Sequence, residues 1–288
     1  MTKTFLIAEV GSNHGGDLES AKTYIRAAKD AGADAVKFQT LAKEKLISPQ
    51  MDQDGRLVDN PGWKIFSNLP LLEEWHPILK RTADECGIEF MSTPFYLEAV
   101  DLLEACGVQT HKIASGDITF VPLLEKVGKT GKRVILSTGA SDLVDIRTAV
   151  NILKKAGSSR VDLLHCVSNY PPVWEEMNLR SIVTMKNEFH ATVGISDHTP
   201  GSIVPLACVA LGGEIIEKHV TFDRSSPGPD HPYAMTFEEF RRMSGDVRLL
   251  EKALGDGIKK STPKELEKQK RLRRGIYDGL WLRPQRTK

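Results

Sequence analysis

Eight short runs of apolar, often β-branched residues recur along this chain, each separated from the next by a longer segment with helical spacing. The runs are FLIAEVG (5–11), AVKFQT (35–40), EFMSTP (89–94), HKIAS (111–115), RVILSTG (133–139), VDLLHCV (161–167), TVGISDH (192–198) and EIIEKHVT (214–221). Between them stand segments such as LESAKTYIRAAKDAG, LLEEWHPILKRTADECG, LEAVDLLEACG, SDLVDIRTAVNILKKAG and LRSIVTMKNEFH. Several close on glycine (Gly32, Gly87, Gly107, Gly157), the residue that tolerates the left-handed turn after a helix. Strand followed by helix, repeated, requires parallel pairing with helical crossovers. Eight repeats within about 220 residues predict an α/β chain of the (β/α)8 TIM-barrel class. An open doubly wound sheet fits less well, because no G-x-G-x-x-G turn follows the first run.

The polar residues in these runs gather at their C-terminal ends: Glu9, Lys37 and Gln39, Ser92 and Thr93, Lys112 and Ser115, Ser137 and Thr138, His165 and Ser168, Ser196 to His198, and Glu217 to His219. A parallel barrel brings all eight strand ends to one rim, where barrel enzymes carry their chemistry. His198 and His219 close consecutive strands, which lie roughly 5 Å apart, so the two imidazoles could hold a divalent cation with open positions for water or substrate. Two nitrogen ligands with open positions suit Mn²⁺ or a similar ion better than a closed structural Zn²⁺ site. Lys37, Lys112 and Lys218 are costly inside apolar runs unless they meet anions, so three of them at one rim point to a phosphate or carboxylate ligand. Two other readings stay open at this stage: a Schiff-base lysine, and lysines paired with Glu9 and Glu217 as structural bridges. Ser92, Ser115, Ser137 and the STG backbone add donors of the kind that cradle phosphate.

The connections add to the rim. GSNHGGD and SNYPPVW offer Asn, His and Tyr side chains, and SSPGPDH (225–231) delivers Asp230 and His231 after the eighth run. The insert from Leu41 to Pro70 is long for a loop and reads as a lid or as a surface excursion. A net charge of +1 with 27% charged residues gives no electrostatic reason for a nucleic-acid or anionic-membrane partner. No apolar run approaches the roughly 18 residues of a membrane span, and the four scattered cysteines (Cys86, Cys106, Cys166, Cys208) read as core residues in a reducing compartment. A cytoplasmic protein is expected.

Taken in order, IAEVGSNHGGD, KFQT, STPF, KIASGD, LSTG, LLHCVSNYP, GISDHT, IEKH and GPDH, spanning essentially the first 235 residues, resemble the N-acetylneuraminate (sialic acid) synthase family. That family includes synthases of other nonulosonic acids and the spore coat polysaccharide proteins. The resemblance implies a barrel enzyme that condenses phosphoenolpyruvate with an N-acetylated amino sugar, using Mn²⁺ or Mg²⁺. It places the metal on His198 and His219 and phosphoenolpyruvate on Lys37, Lys112, Ser115, Ser137 and Ser196. By their place at the rim and in the loop after the sixth run, Gln39, Ser92 and Asn169 are further candidate substrate contacts. Glu9, Tyr170, Glu217 and Asp230 match positions associated with catalysis and the sugar. Asp117 stands where sialic acid synthases often carry a sugar-contacting glutamate, one methylene longer.

The expected organisation is a barrel synthase domain over 1–258 and a basic tail over 259–288. The tail (KKSTPKELEKQKRLRRG) reads as a solvated helix face. RRGIYDGLWLRP resembles the entry into the antifreeze-like domain that follows the barrel in the family. A homodimer is the family's implied assembly.

Overall fold

The computed structural model describes residues 3–66 and 71–285; positions 67–70, the end of the Leu41–Pro70 insert, and 286–288 of the basic tail lie outside them. The chain divides into two compact units, 1–252 and 253–288, a boundary a few residues earlier than the sequence implied.

The first unit is a parallel barrel. Its strands are β1 (Phe5–Glu9), β2 (Ala35–Thr40), β3 (Glu89–Pro94), β4 (Thr110–Ile113), β5 (Arg133–Ser137), β6 (Arg160–Cys166), β7 (Val193–Asp197) and β8 (Ile215–Thr221). Hydrogen bonding runs in the order β3-β2-β1-β8-β7-β6-β5-β4, every pair parallel, and β4 lies beside β3 to close the ring almost completely. The outer helices are α1 (Leu18–Asp30), α2 (His76–Cys86), α3 (Leu97–Ala105), α4 (Val121–Lys129), α5 (Leu143–Ala156), α6 (Ser181–Phe189), α7 (Ile203–Ala210) and α8 (Phe237–Leu254). Asp17 caps α1 and Asp142 caps α5, each accepting orphan backbone N–H groups at the helix start. The stop of α2 at Gly87, at φ +65°, is the left-handed cap read from the sequence.

Two cores result from the two-residue alternation of the strands. One face of each strand packs outward on the helices, as Leu6, Val36, Phe90, Val134, Leu163 and Ile216 do. The other fills the barrel with a small floor of Ile7, Ala35, Met91, Ile135, Leu164 and Ile215. Below that floor, Asp162 is buried and paired with Arg133 and Arg160 at 2.7 Å each, so the barrel base is closed by a compensated charge.

The insert after β2 holds a short helix (Lys43–Leu46), a hairpin (Gln50–Gln53 with Arg56–Asp59) and a second short helix (Gly62–Phe66). No helix among the described residues is long and apolar enough to cross a membrane. In the second unit, α9 (Pro263–Leu272) starts on a Thr262/Glu265 capping box with no buried residue along it, as a solvated helix should. A small hairpin, Gly275–Tyr277 with Leu280–Leu282, follows where the sequence suggested a first strand.

Candidate active site

One step up each strand from the apolar floor, the inward-facing residue changes character. Two positions beyond Ile7, Ala35, Met91, Ile135, Leu164 and Ile215 come Glu9, Lys37, Thr93, Ser137, Cys166 and Glu217, and all six line a cavity of about 700 Å³ at the C-terminal mouth. Gln39, Lys112, Ser115, Ser168, Tyr170, Ser196, His198, His219, Asp230 and Tyr233 complete its polar wall, and Leu46 and Phe66 bring the insert to its edge.

At the bottom lies a charge network. Lys37 Nζ sits 3.1 Å from Glu9 and 3.5 Å from Glu217 and donates to Thr93 Oγ1 at 3.2 Å. Lys112 Nζ donates to Ser137 Oγ at 2.6 Å and to the Ile113 carbonyl at 3.0 Å, and lies 4.0 Å from Glu217. Glu217 accepts from Ser196 Oγ at 3.0 Å, and Glu9 from the Gln39 amide at 2.7 Å. These groups do not share charge evenly. Burial works against ionised Glu217, yet Lys112 and Lys37 outweigh it and pull its pKa down to about 2. For Glu9 burial prevails over Lys37, and its pKa is raised. Burial also opposes the Lys37 ammonium, but Glu217 and Glu9 hold its pKa above the ordinary lysine value. Lys112 falls to about 8, from burial first, against the pull of Glu217 and with the Lys37 charge adding to the drop. Two carboxylates pushed apart in this way divide the roles of proton carrier and fixed anion.

Above the network the imidazoles of His198 and His219 face each other with ring centroids 5.3 Å apart, and Tyr170 stands edge-on to His198 at 4.4 Å. Burial, with His219 beside it, holds the His198 pKa well below the ordinary histidine value, so this ring is neutral and has a lone pair to give. Nδ1 of both histidines and Ser168 Oγ are buried without a hydrogen-bond partner among the described residues, and Oε2 of Glu9 and of Glu217 meet the Lys37 ammonium. Buried polar atoms are ordinarily paired, so this concentration at one cavity marks a binding surface. The two imidazoles fit a divalent cation as ligands. Among the described residues no three His, Cys, Asp or Glu side chains converge into a metal cage.

The loop after β8 closes the far side. Asp230 Oδ2 accepts from the Ser12 backbone N–H at 2.9 Å and the Ser12 hydroxyl at 2.8 Å, and Oδ1 accepts from the Tyr233 hydroxyl at 2.6 Å. Burial is outweighed by His219 and these hydrogen bonds, so the Asp230 pKa is lowered. Gly11 permits this packing: at φ +55°, a Cβ there would lie 2.4 Å from Asp230 Oδ2. Gly139 does the same for the serines, since a Cβ would meet Ser168 Oγ at 2.2 Å, and its N–H donates to Ser115 Oγ at 2.9 Å.

Several expected site residues lie elsewhere. Ser92 turns outward and is buried against Thr40 at 2.7 Å, which in turn contacts His76 of α2 at 2.7 Å. Strand alternation makes Thr93, two beyond the floor residue Met91, the inward one. Lys218 is likewise on the outer face, bonded to Asp197 at 2.9 Å and to the Thr199 carbonyl, so two lysines reach the cavity instead of three. Asn169 donates to Glu176 at 2.8 Å, away from the cavity that its neighbours Ser168 and Tyr170 line. Asp117 is buried in the turn Ser115–Asp117, where burial raises its pKa to about 6; Gly116 and Ile118 face the cavity in its place. His165 bonds the Met177 carbonyl, His231 bonds Thr221, and Asn13 donates to the Val220 carbonyl, all structural uses. In the first loop, His14 packs beside Phe38 and Trp75 and accepts the Gly16 N–H at 3.1 Å. Cys166, read as core filler, lines the cavity, although burial keeps its thiol pKa raised. Tyr233 and Ser12 went unread in the sequence; the available signal was that Tyr233 follows Asp230 by three residues, within one turn.

Comparisons with known proteins bear on the family and the fold. Residues 24–259 match the sequence model of the NeuB family. An uncharacterized protein of Methanocaldococcus jannaschii is 46% identical over 95% of this chain and 78% of its own length. The N,N'-diacetyllegionaminic acid synthase of Campylobacter jejuni is 42% identical over 92% of this chain and 81% of its own. The crystal structure of an N-acetylneuraminic acid (sialic acid) synthetase from Leptospira borgpetersenii, in complex with citrate, superposes with a TM-score of 0.84 at 36% identity, covering 93% of this chain and 90% of that one. By matching sequence, superposing fold and polar barrel mouth alike, the chain belongs to the NeuB family.

Proposed function

We propose that this chain is a synthase that condenses phosphoenolpyruvate with an N-acetylated aldose, of the N-acetylmannosamine kind, to give a nonulosonic acid and inorganic phosphate. The observation that carries the reading is the meeting of two lysines, several hydroxyls and two imidazoles above one apolar floor. Lys37 and Lys112, with Ser115, Ser137 and Ser196, hold the phosphate and carboxylate of phosphoenolpyruvate. C3 of phosphoenolpyruvate bonds to the aldehyde carbon of the open-chain sugar as its C=O π bond opens and the oxygen takes up a proton; water adds at the cationic C2 with loss of one proton, and the C2 hydroxyl loses its proton to the departing phosphate as the C2–O bond breaks to leave the keto acid. Glu9, with its raised pKa, takes the proton from the attacking water. Glu217, ionised across the working pH range, stays a fixed anion that keeps both ammonium groups in place. Tyr170 and Asp230 border the acceptor end. A divalent cation, Mn²⁺ or Mg²⁺, on His198 and His219 supplies Lewis-acid polarisation of the acceptor carbonyl when bound.

A phosphorylated sugar would call for a further basic group at the mouth; Arg224, after β8, instead donates to the Ala234 carbonyl at 2.9 Å and pairs with Glu239, which favours an unphosphorylated acceptor. A cytoplasmic homodimer accords with this role.

A second reading has its own support. Lys112, with a pKa near 8, has the depressed basicity that a Schiff-base lysine needs. One assay separates the two: phosphate release from phosphoenolpyruvate, measured against a panel of N-acetylated hexosamines with and without Mn²⁺, alongside borohydride trapping followed by peptide mass analysis. Metal-dependent phosphate release without an adduct is expected. A reduced adduct on Lys112 would establish the aldolase reading, and silence across the panel with metal present would leave a sugar-binding barrel.

A further inference from the structure

Asp230 and Tyr233 stand three residues apart on a single 3₁₀ turn, His231–Tyr233, where side chains at that spacing eclipse one another. We propose that Tyr233 is a positioning residue for the acceptor end of the site: its hydroxyl sets the direction of the Asp230 carboxylate, and its ring braces the imidazoles of His198 and His219. The assignment rests on the synthase reading for the identity of the acceptor and adds a residue that reading does not use.

A carboxylate free to rotate presents its oxygens in many directions. Here the Tyr233 hydroxyl occupies Oδ1, and the Ser12 N–H and hydroxyl both occupy Oδ2, so the plane of the group is fixed. Gly11 presses the first loop against that carboxylate from below. The Tyr233 ring then lies 5.1 Å from His219, 5.9 Å from His198 and 5.5 Å from Tyr170, at interplanar angles of 72°, 78° and 50°. Each contact is in the range of edge-to-face and tilted aromatic pairs. A single side chain thus touches the acid and both imidazoles at the acceptor end, while the lysines and serines at the other end lie beyond its hydrogen bonds. Groups that act on a substrate hold their angles only when a second set of contacts fixes them.

The hydroxyl and the ring are separable. Tyr233→Phe keeps the ring and loses the bond to Asp230; Tyr233→Leu loses both. With phosphoenolpyruvate, Mn²⁺ and N-acetylmannosamine, Tyr233→Phe is expected to raise the acceptor KM about tenfold, the effect of one hydrogen bond to a charged group. Its KM for phosphoenolpyruvate and its Mn²⁺ affinity by electron paramagnetic resonance titration should stay within about twofold of wild type. Because the hydroxyl acts through Asp230, the Tyr233→Phe/Asp230→Asn double variant should be no worse than Asp230→Asn alone. Tyr233→Leu should also weaken Mn²⁺ binding by about tenfold, a loss like that of other residues that orient metal ligands. A wild-type acceptor KM in Tyr233→Phe, additive losses in the double variant, or wild-type Mn²⁺ affinity in Tyr233→Leu would overturn the assignment. If the leucine variant does not fold, the phenylalanine variant and the double-variant cycle decide. Should the wild-type enzyme release no phosphate with any acceptor, the synthase reading fails, and the Mn²⁺ titration alone then decides the bracing role.

Discussion

His219→Ala is expected to lower metal-dependent turnover on the order of a thousandfold while leaving the barrel folded. Lewis-acid polarisation by a bound cation supplies several kcal/mol to a carbonyl addition, and 1.36 kcal/mol is tenfold in rate. His219 Nδ1 makes no hydrogen bond among the described residues, and the ring packs on His198 and Tyr233 above the apolar floor rather than within it. Loss of stability should therefore be modest, about 1 kcal/mol, as for substitutions that break no buried network. Steady-state phosphate release across a Mn²⁺ titration, with circular dichroism as the folding control, checks both halves. Retained turnover at every metal concentration would remove His219 from the metal site.

Lys37→Met should damage both ends of the same network. The ammonium lies within 3.5 Å of two buried carboxylates, so its removal leaves Glu9 and Glu217 with Lys112 as the remaining nearby lysine. Breaking a buried ion network from one side costs roughly 3–5 kcal/mol, enough to lower Tm by several degrees in a chain of this size. Losing a charge-assisted contact to phosphoenolpyruvate should raise its KM by about tenfold to a hundredfold. Adding Glu9→Gln to Lys37→Met removes the orphaned carboxylate, so the double variant is expected to recover much of the stability and none of the phosphoenolpyruvate affinity. Thermal melts on the two variants, with phosphoenolpyruvate affinity read by isothermal titration calorimetry because Glu9→Gln also removes the proposed base, test this together. A double variant that regains substrate affinity would show that Lys37 supports the fold and not the ligand.

The barrel could be read from the chain because each strand repeats one physical pattern: an apolar run ending in polar residues, followed by a helix that often stops on glycine. The rim could be read for the same reason. Less legible was the face on which a rim residue lies. Ser92 and Thr93 are adjacent and chemically alike, and the two-residue period separates them only once Met91 is known to point inward. The same parity divides Glu217 and His219, which enter the cavity, from Lys218, which Asp197 neutralises on the outer face. Parity fails as a guide in the loops. Nothing in SNYPPVW distinguishes Asn169, held by Glu176, from Tyr170 at the cavity wall, and in GPDHPY only the three-residue spacing from Asp230 favours Tyr233 over His231. The Asp230 carboxylate adds a partner that no local pattern announces, Ser12, 218 positions away. The pKa ordering of Glu9 and Glu217 was likewise hidden, because it reflects which carboxylate two lysines approach from both sides.

A crystal structure of the enzyme soaked with Mn²⁺ and phosphoenolpyruvate, with anomalous scattering recorded at the manganese edge, tests the convergence of these groups most directly. The expected result is one manganese peak bonded to both His198 and His219, with an intact phosphoenolpyruvate on Lys37, Lys112 and the serines beside it. A manganese site away from the two imidazoles, or electron density continuous from the ligand to Lys112, would contradict it.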